Sequence, residues 1–257
     1  MKKHENEKLY WEEYWKKENR IDETFLFSDI LKKCNIDIHN YFEFGCAPGS
    51  IMSYINKTYG AKVSGLDLVD KTIIEDYLKQ HNVQNYHIIE GDIEKISIQE
   101  KFDFVGSYGF IEHFEDPALI IEKHKDLVDI GGYLCITVPN MRYFNYIFNL
   151  IFSKELLETH NFSIMDLKVL KKIILDGNFE EIYASYYLTS MFQANKDSQR
   201  LKEHQHLNKI YQVINKVMDA LKLSDIPNKY ASPYIVLIAK RIKNEKTKKY
   251  KYIKSFY

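Results

Sequence analysis

Between residues 41 and 139, short apolar runs alternate with stretches of helical periodicity, and this alternation limits the possible folds more than any other feature. YFEFG (41–45), AKVSGLDLV (61–69), YHIIEGD (86–92), KFDFVGSYGF (101–110) and GGYLCITVP (131–139) read as five strands punctuated by glycine and proline. Helical patterns lie between them over 50–59, around Ile73, Ile74, Tyr77 and Leu78, and over 117–129. Such a rhythm predicts a mostly parallel sheet with helices on both faces. Beyond it, 163–175 reads as helix, 179–187 as a sixth strand and 232–242 as a seventh. Residues 207–221 carry a stripe of Leu207, Ile210, Tyr211, Ile214, Val217, Met218 and Leu221, which predicts a core-facing helix.

Residues 5–33 read as one helix with Tyr10, Trp11, Tyr14 and Trp15 on one side. That stripe either packs on the domain or closes over a ligand. A chain of 257 residues that is 45% hydrophobic and 28% charged is long enough for one α/β domain with embellishments. Its formal net charge of zero gives no reason to expect a nucleic-acid partner. Cys34, Cys46 and Cys135 form no CxxC and are odd in number, so a reduced, cytoplasmic protein is expected. MKKHENEKLYWEEYW is too charged for a signal peptide. YFNYIFNLIF (143–152), the most apolar stretch, is too short to span a bilayer, so no stable membrane insertion is expected. No metal-ligand set stands out, since His204 and His206 lack Cys or acidic partners at metal spacing.

The stretch FEFGCAPGS (42–50) ends a strand in a carboxylate and a turn of small residues, which lets main-chain N–H groups approach a polar ligand. A dinucleotide fingerprint GxGxxG would need glycines at 45, 47 and 50, and only Gly45 is one. The pattern acidic-x-Gly-x-Gly-x-Gly fits better, with Glu43, Gly45, Ala47 and Gly49 giving three of four. Glu43 would repel a pyrophosphate, but it can accept hydrogen bonds from an ammonium group.

In these residues the chain resembles the class I S-adenosylmethionine-dependent methyltransferases, over roughly residues 35–242. The resemblance implies a seven-stranded, mostly parallel Rossmann-like sheet over 33–242, with cap elements at 141–165 and 186–230. Outside it the sequence reads as an N-terminal helical extension or lid over 1–32 and a basic C-terminal tail over 243–257. EFGCAPGS looks like the motif that cradles the cofactor's methionine, with Cys46 and Ala47 in the turn. Asp67 matches the acid that binds both ribose hydroxyls, with Leu68 beside it. In GDI (91–93), Asp92 would meet the adenine amino group and Ile93 would pack on the ring. FDFVGSYGFIEHFEDP (102–117) is similar to the fourth-strand motif of the small-molecule branch, placing Tyr108 near the cofactor and Glu112 and His113 beside the methyl group. GGYLCITVPN (131–140) resembles the fifth-strand motif. The middle glycine is replaced by Ala47, which departs from the family pattern.

The resemblance implies S-adenosylmethionine as cofactor and a small polar acceptor methylated at an oxygen, a sugar hydroxyl or phosphoryl-type group, with an N-methyltransferase as the alternative. His113 is the candidate base, with a pKa expected to suit neutral pH. His160, in ETHNFSIMDL, is the second candidate. Tyr14, Glu112, Arg142 and Tyr143 are candidates for holding the acceptor, while Phe144, Tyr146 and Phe148 would help exclude water. The chain is similar both to small methyltransferases of bacterial surface-polysaccharide loci and to the ubiquinone-biosynthesis type. A homo-oligomer is compatible with this reading. Two other classes stay open at this point. A nicotinamide oxidoreductase has against it the glycine spacing and a Tyr250–Lys254 pair stranded in the basic tail. A non-catalytic binding module would have no use for Glu43, Gly45, Asp67 and Asp92 together.

Overall fold

A computed structural model describes residues 2–17, 25–188, 205–221 and 226–243. At its centre lie β1 (Asn40–Phe44), β2 (Lys62–Asp67), β3 (Tyr86–Glu90), β4 (Phe102–Tyr108), β5 (Val128–Pro139), β6 (Phe179–Tyr187) and β7 (Tyr234–Arg241). They form a single sheet in the order β3-β2-β1-β4-β5-β7-β6. The first five pair in parallel, whereas β7 runs antiparallel to both β5 and β6. The strand order reverses between β1 and β4, and in such sheets the crevice outside the carboxyl ends at that point is where ligands collect.

Helices cover both faces. α1 (Lys2–Lys17) and α2 (Ser28–Lys33) come first, followed by α3 (Ser50–Tyr59), α4 (Lys71–Gln80), α5 (Pro117–Leu127), α6 (Phe144–Phe152), α7 (Lys154–Glu158), α8 (Leu167–Ile174) and α9 (Gln205–Ala220). Asp70, Asp116 and Asp166 start α4, α5 and α8 by accepting hydrogen bonds from Thr72, Leu119 and Lys168 backbone N–H groups. Alternation along β1 sends Phe42 and Phe44 into one core layer with Leu66, Phe102, Leu134 and Ile136. Tyr41 goes into the other layer, with Phe25, Phe27, Met52, Val63 and Phe104.

Three expectations are corrected. The N-terminal segment is not one helix, because α1 ends at Lys17 and α2 begins at Ser28. Between them Phe25 and Phe27 drop into the core at 4% and 5% exposure. The 207–221 stripe is helical, yet Ile210, Val217 and Leu221 are exposed rather than buried. β5 begins at Val128, ahead of its glycines, because Val128 already pairs with Phe102. The basic tail from residue 244, including Tyr250 and Lys254, and much of the 186–230 cap lie outside the described residues. No helix among the described residues is long and apolar enough to cross a membrane.

Candidate active site

The turn after β1 is shaped by three absent side chains. Gly45 adopts φ +69°, and a Cβ there would lie 3.0 Å from Phe110 Cε2 and closer still to Cδ2, so the Phe110 ring occupies the hollow. Gly49 sits at φ +108° immediately before α3, a conformation that glycine adopts without steric cost. Gly65, whose role was not read from the sequence, leaves space under the turn, since a Cβ on it would meet Cys46 Sγ at 2.6 Å. Cys46 is accordingly buried, and burial pushes its thiol pKa well up.

Asp67 closes β2 and ties the turn down. Its Oδ2 accepts the Ala47 N–H at 2.9 Å and its Oδ1 accepts the Val69 N–H at 3.2 Å. Burial raises its pKa, and those backbone donors oppose the rise. Leu68 beside it is half-buried. Glu43 is 3% exposed and accepts the Tyr41 hydroxyl at 3.1 Å. Burial lifts its pKa well above the usual carboxylate range, so a cation arriving here would favour its ionised form. Past β3, Asp92 accepts the Glu94 N–H at 2.9 Å and pairs with Lys95 at 3.0 Å. Ile93 is buried, and the Lys123 ammonium donates to its carbonyl.

β4 ends at the other side of the crevice. Tyr108 lies under Phe25 (ring centroids 4.9 Å apart) and Phe27, with its hydroxyl 3.5 Å from that of Tyr41. One turn of 3₁₀ helix, Ile111–His113, then presents Glu112 and His113. Glu112 is 1% exposed, and burial holds its carboxyl pKa at about 8. His160 approaches from beyond α7, with its ring centroid 4.7 Å from that of His113. Asn161 holds the segment there through its N–H to Glu112 O at 2.7 Å and its Nδ2 to Phe114 O at 3.0 Å and Glu115 O at 3.3 Å. Glu112, His113 and His160 thereby bring ligand-capable atoms within 4.8 Å of one another. Burial, with His160 nearby, lowers the His113 pKa to about 4, well below the value suited to neutral-pH base catalysis that the sequence led us to expect. Burial lowers His160 too.

α1 spans these loops from above. Lys8 pairs with Glu90 at 2.5 Å, Glu12 accepts the Asp70 N–H at 3.2 Å, and Trp11 stands edge-on to the His113 ring at 5.2 Å. The helix thus touches the carboxyl-end loops of β2, β3 and β4.

Residues 42–136 match the family described as a methyltransferase domain. Over that stretch the chain is similar to the class I S-adenosylmethionine-dependent methyltransferases. It is 26% identical over 141 residues to a ubiquinone biosynthesis O-methyltransferase of Hydrogenovibrio crunogenus, covering 54% of this chain and 56% of that protein. A pavine N-methyltransferase of Thalictrum flavum subsp. glaucum is 26% identical over 118 residues, covering 44% and 33% of the two chains. The chain therefore spans little more than half the length of the first of these relatives and a third of the second. Among solved structures, coclaurine N-methyltransferase bound to N-methylheliamine and SAH superposes with a TM-score of 0.56 at 14% identity, covering 86% and 73%. A phosphoethanolamine N-methyltransferase of Haemonchus contortus, also with S-adenosylhomocysteine, gives 0.55 at 15% identity, covering 84% and 52%. Identities this low carry the fold alone.

Within this methyltransferase fold, the expected donor-side residues Glu43, Gly45, Cys46, Ala47, Gly49, Asp67 and Leu68 gather around the β1 and β2 ends. Asp92 and Ile93 follow at β3. The remaining expected residues have neighbours of their own. Tyr14 meets Trp11 and Trp15 edge-on, with ring centroids 5.7 and 4.9 Å away, and it is Trp11 that reaches His113. Arg142 is engaged by Asp166 at 3.2 Å. Tyr143 packs against Tyr230 with ring centroids 5.2 Å apart. Phe144 and Tyr146 are exposed, and Phe148 is buried against Phe152, so these three do not form a common wall. His206 is exposed, and His204 lies outside the described residues.

Proposed function

We propose that this chain transfers a methyl group from S-adenosylmethionine to an oxygen of a small polar acceptor. The observation that carries the reading is the convergence, at one edge of the sheet, of two groups on opposite sides of the strand-order reversal. Glu43, the glycine turn and Asp67 stand on one side, and Glu112, His113 and His160 on the other. Glu43 would take the cofactor's ammonium group, Asp67 its ribose hydroxyls and Asp92 its adenine amino group. Ile93 would border the adenine. Lowered pKa values leave both imidazoles neutral at pH 7 and able to accept a hydrogen bond from an acceptor hydroxyl. Their task is to align that oxygen behind the methyl carbon, since the sulfonium is reactive enough once the geometry is set. α1 would act as the lid, with Trp11 shielding the His113 side. The acceptor would be a sugar hydroxyl or phosphoryl-type oxygen of a polysaccharide precursor, or a phenol as the name of the ubiquinone relatives suggests. The chain would work in the cytoplasm.

The test has two stages. Calorimetric titration with S-adenosylhomocysteine is expected to show saturable binding at one site per chain. A panel of hydroxyl, phosphoryl and amine acceptors, incubated with trideuteromethyl-labelled cofactor and read by mass spectrometry, is expected to label an oxygen compound. Absence of cofactor binding would sink the reading as a whole. Labelling of amines alone would sink its oxygen specificity.

A further inference from the structure

We propose that Glu112, His113 and His160 form a binding site for a divalent first-row transition-metal ion, held by two imidazole nitrogens and one carboxylate oxygen at the acceptor side of the crevice. Three independent features point there. The first is proximity, because one donor atom from each residue lies within 4.8 Å of the others. Donors around a tetrahedral ion at ordinary bond lengths stand about 3.4 Å apart, so closure needs shifts of about 1 Å. Such shifts are small for the long arm of Glu112 and for a histidine on the segment between α7 and α8.

The second feature is the surroundings of the rings. A metal-binding histidine usually donates its other ring N–H to a carbonyl or carboxylate, which fixes the tautomer and aims the free lone pair. His160 Nδ1 lies 2.6 Å from Leu156 O, which makes Nδ1 the protonated nitrogen and leaves Nε2 as the lone-pair donor. The His113 ring makes its own hydrogen bond to the Thr159 backbone. Both rings are thus oriented by the backbone of a single segment, and each retains one nitrogen for a ligand.

The third feature is an unexplained carboxylate. Glu112 Oε2 is buried and has no hydrogen-bond partner among the described residues, and no lysine or arginine among them pairs with it. Burying a carboxylate oxygen without a partner is costly, and a divalent cation supplies the missing charge. Imidazole with carboxylate suits zinc, cobalt, iron or manganese better than calcium or magnesium, which prefer sites made wholly of oxygen. Three protein ligands also leave a coordination position open, as catalytic sites do.

The use of such an ion rests on the methyl-transfer reading. An acceptor hydroxyl entering the open position would be acidified. Its proton passes to solvent, its oxygen forms the new O–C bond, and the S–C bond breaks with its electron pair staying on sulfur. The sulfonium thereby becomes a neutral thioether.

Binding itself is tested without turnover. The full chain, stripped with chelator, is titrated with Zn²⁺ by calorimetry and with Co²⁺ by visible absorption, beside S-adenosylhomocysteine titrations of the same samples. Wild type is expected to take up one ion, with Co²⁺ d–d bands of a low-coordinate N/O site. Glu112→Gln, His113→Ala and His160→Ala should each weaken uptake at least tenfold. The half-buried His160 is the variant least able to disturb folding. Retained S-adenosylhomocysteine affinity in that variant would certify an intact fold. Wild type that takes up no ion, or a folded His160→Ala with unchanged affinity, would overturn the proposal while leaving cofactor binding standing. Metal uptake without any S-adenosylhomocysteine binding would support the site and overturn its link to methyl transfer.

Discussion

On the proposed reading Asp67 serves two purposes, and substitutions separate them. Its oxygens accept from Ala47 N–H at 2.9 Å and Val69 N–H at 3.2 Å, so the carboxylate fixes the glycine turn before any ligand arrives. In the proposed complex it also receives the ribose hydroxyls. Asp67→Asn keeps the shape but turns one acceptor into a donor. If the amide oxygen keeps the shorter bond to Ala47, the new NH₂ faces the Val69 N–H. The amide can still exchange a hydrogen bond with one hydroxyl, so the cost to cofactor binding should be about 1 kcal/mol, or about fivefold in Kd. Asp67→Ala removes every acceptor and leaves both the hydroxyls and the turn unsupported. Loss of charge-assisted bonds on this scale costs about 2–3 kcal/mol, or about 30–150-fold. Calorimetric titration with S-adenosylhomocysteine measures both variants, and thermal unfolding of the ligand-free proteins reports the turn separately. Graded losses, alanine worse than asparagine, are expected. An Asp67→Ala protein that melts lower yet binds with wild-type affinity would refute the reasoning and reduce Asp67 to a clip for the turn.

Two further outcomes follow from the packing. Gly45→Ala should abolish most cofactor affinity and cost about 2 kcal/mol or more of stability, because it combines left-handed strain with a clash against Phe110. Gly60→Ala has a similar φ of +68° but open space around it, so it should lower the melting temperature while leaving affinity unchanged; equal affinity losses in the two variants would contradict this. His124 is wholly buried beside Phe44, and burial lowers its pKa to about 3, so the unfolded chain binds its proton more readily. The resulting stability is fully present above about pH 6.5 and declines as pH falls towards 3, by about 2 kcal/mol at pH 5. Urea unfolding at pH 7 and pH 5 should show wild type losing about that much more than His124→Leu, and parallel losses would rule the assignment out.

The middle of the sheet was legible because β1, β2 and β4 are short apolar runs largely buried on both faces and punctuated by glycine. The donor side was legible because the turn's chemistry is local: Glu43, Gly45 and Gly49 fall within seven residues, and Asp67 ends the next strand. What sequence concealed was tertiary. Phe25 and Phe27 continue the apolar stripe of a helix, and nothing in their spacing shows that the chain turns there to cover Tyr108. The apolar side of α9 has the period of a core helix, yet Ile210, Val217 and Leu221 are exposed. Arg142 looked available for an anion because its partner Asp166 sits well downstream. His160 meets His113 only through the return of the segment that Asn161 anchors, so the two appeared as alternatives rather than neighbours. The same burial that brings them together removes the near-neutral pKa expected of a free histidine.

The ring of Phe110 lying in the hollow over Gly45 bears on how a protein of this kind can diverge. That ring belongs to the segment carrying Glu112 and His113, so the donor and acceptor halves share a wall rather than merely an edge. A bulkier or differently placed residue at 110, selected for a new acceptor, would press directly on the turn proposed to hold the donor. Adaptation to other acceptors is therefore steered away from β4 and towards walls without this double duty. The segment after α7 that carries His160 is one, since Asn161 anchors it to the Glu112 and Phe114 carbonyls. The fold in this sense partitions its own freedom to change, keeping the donor half fixed and leaving acceptor choice to the elements added after β5.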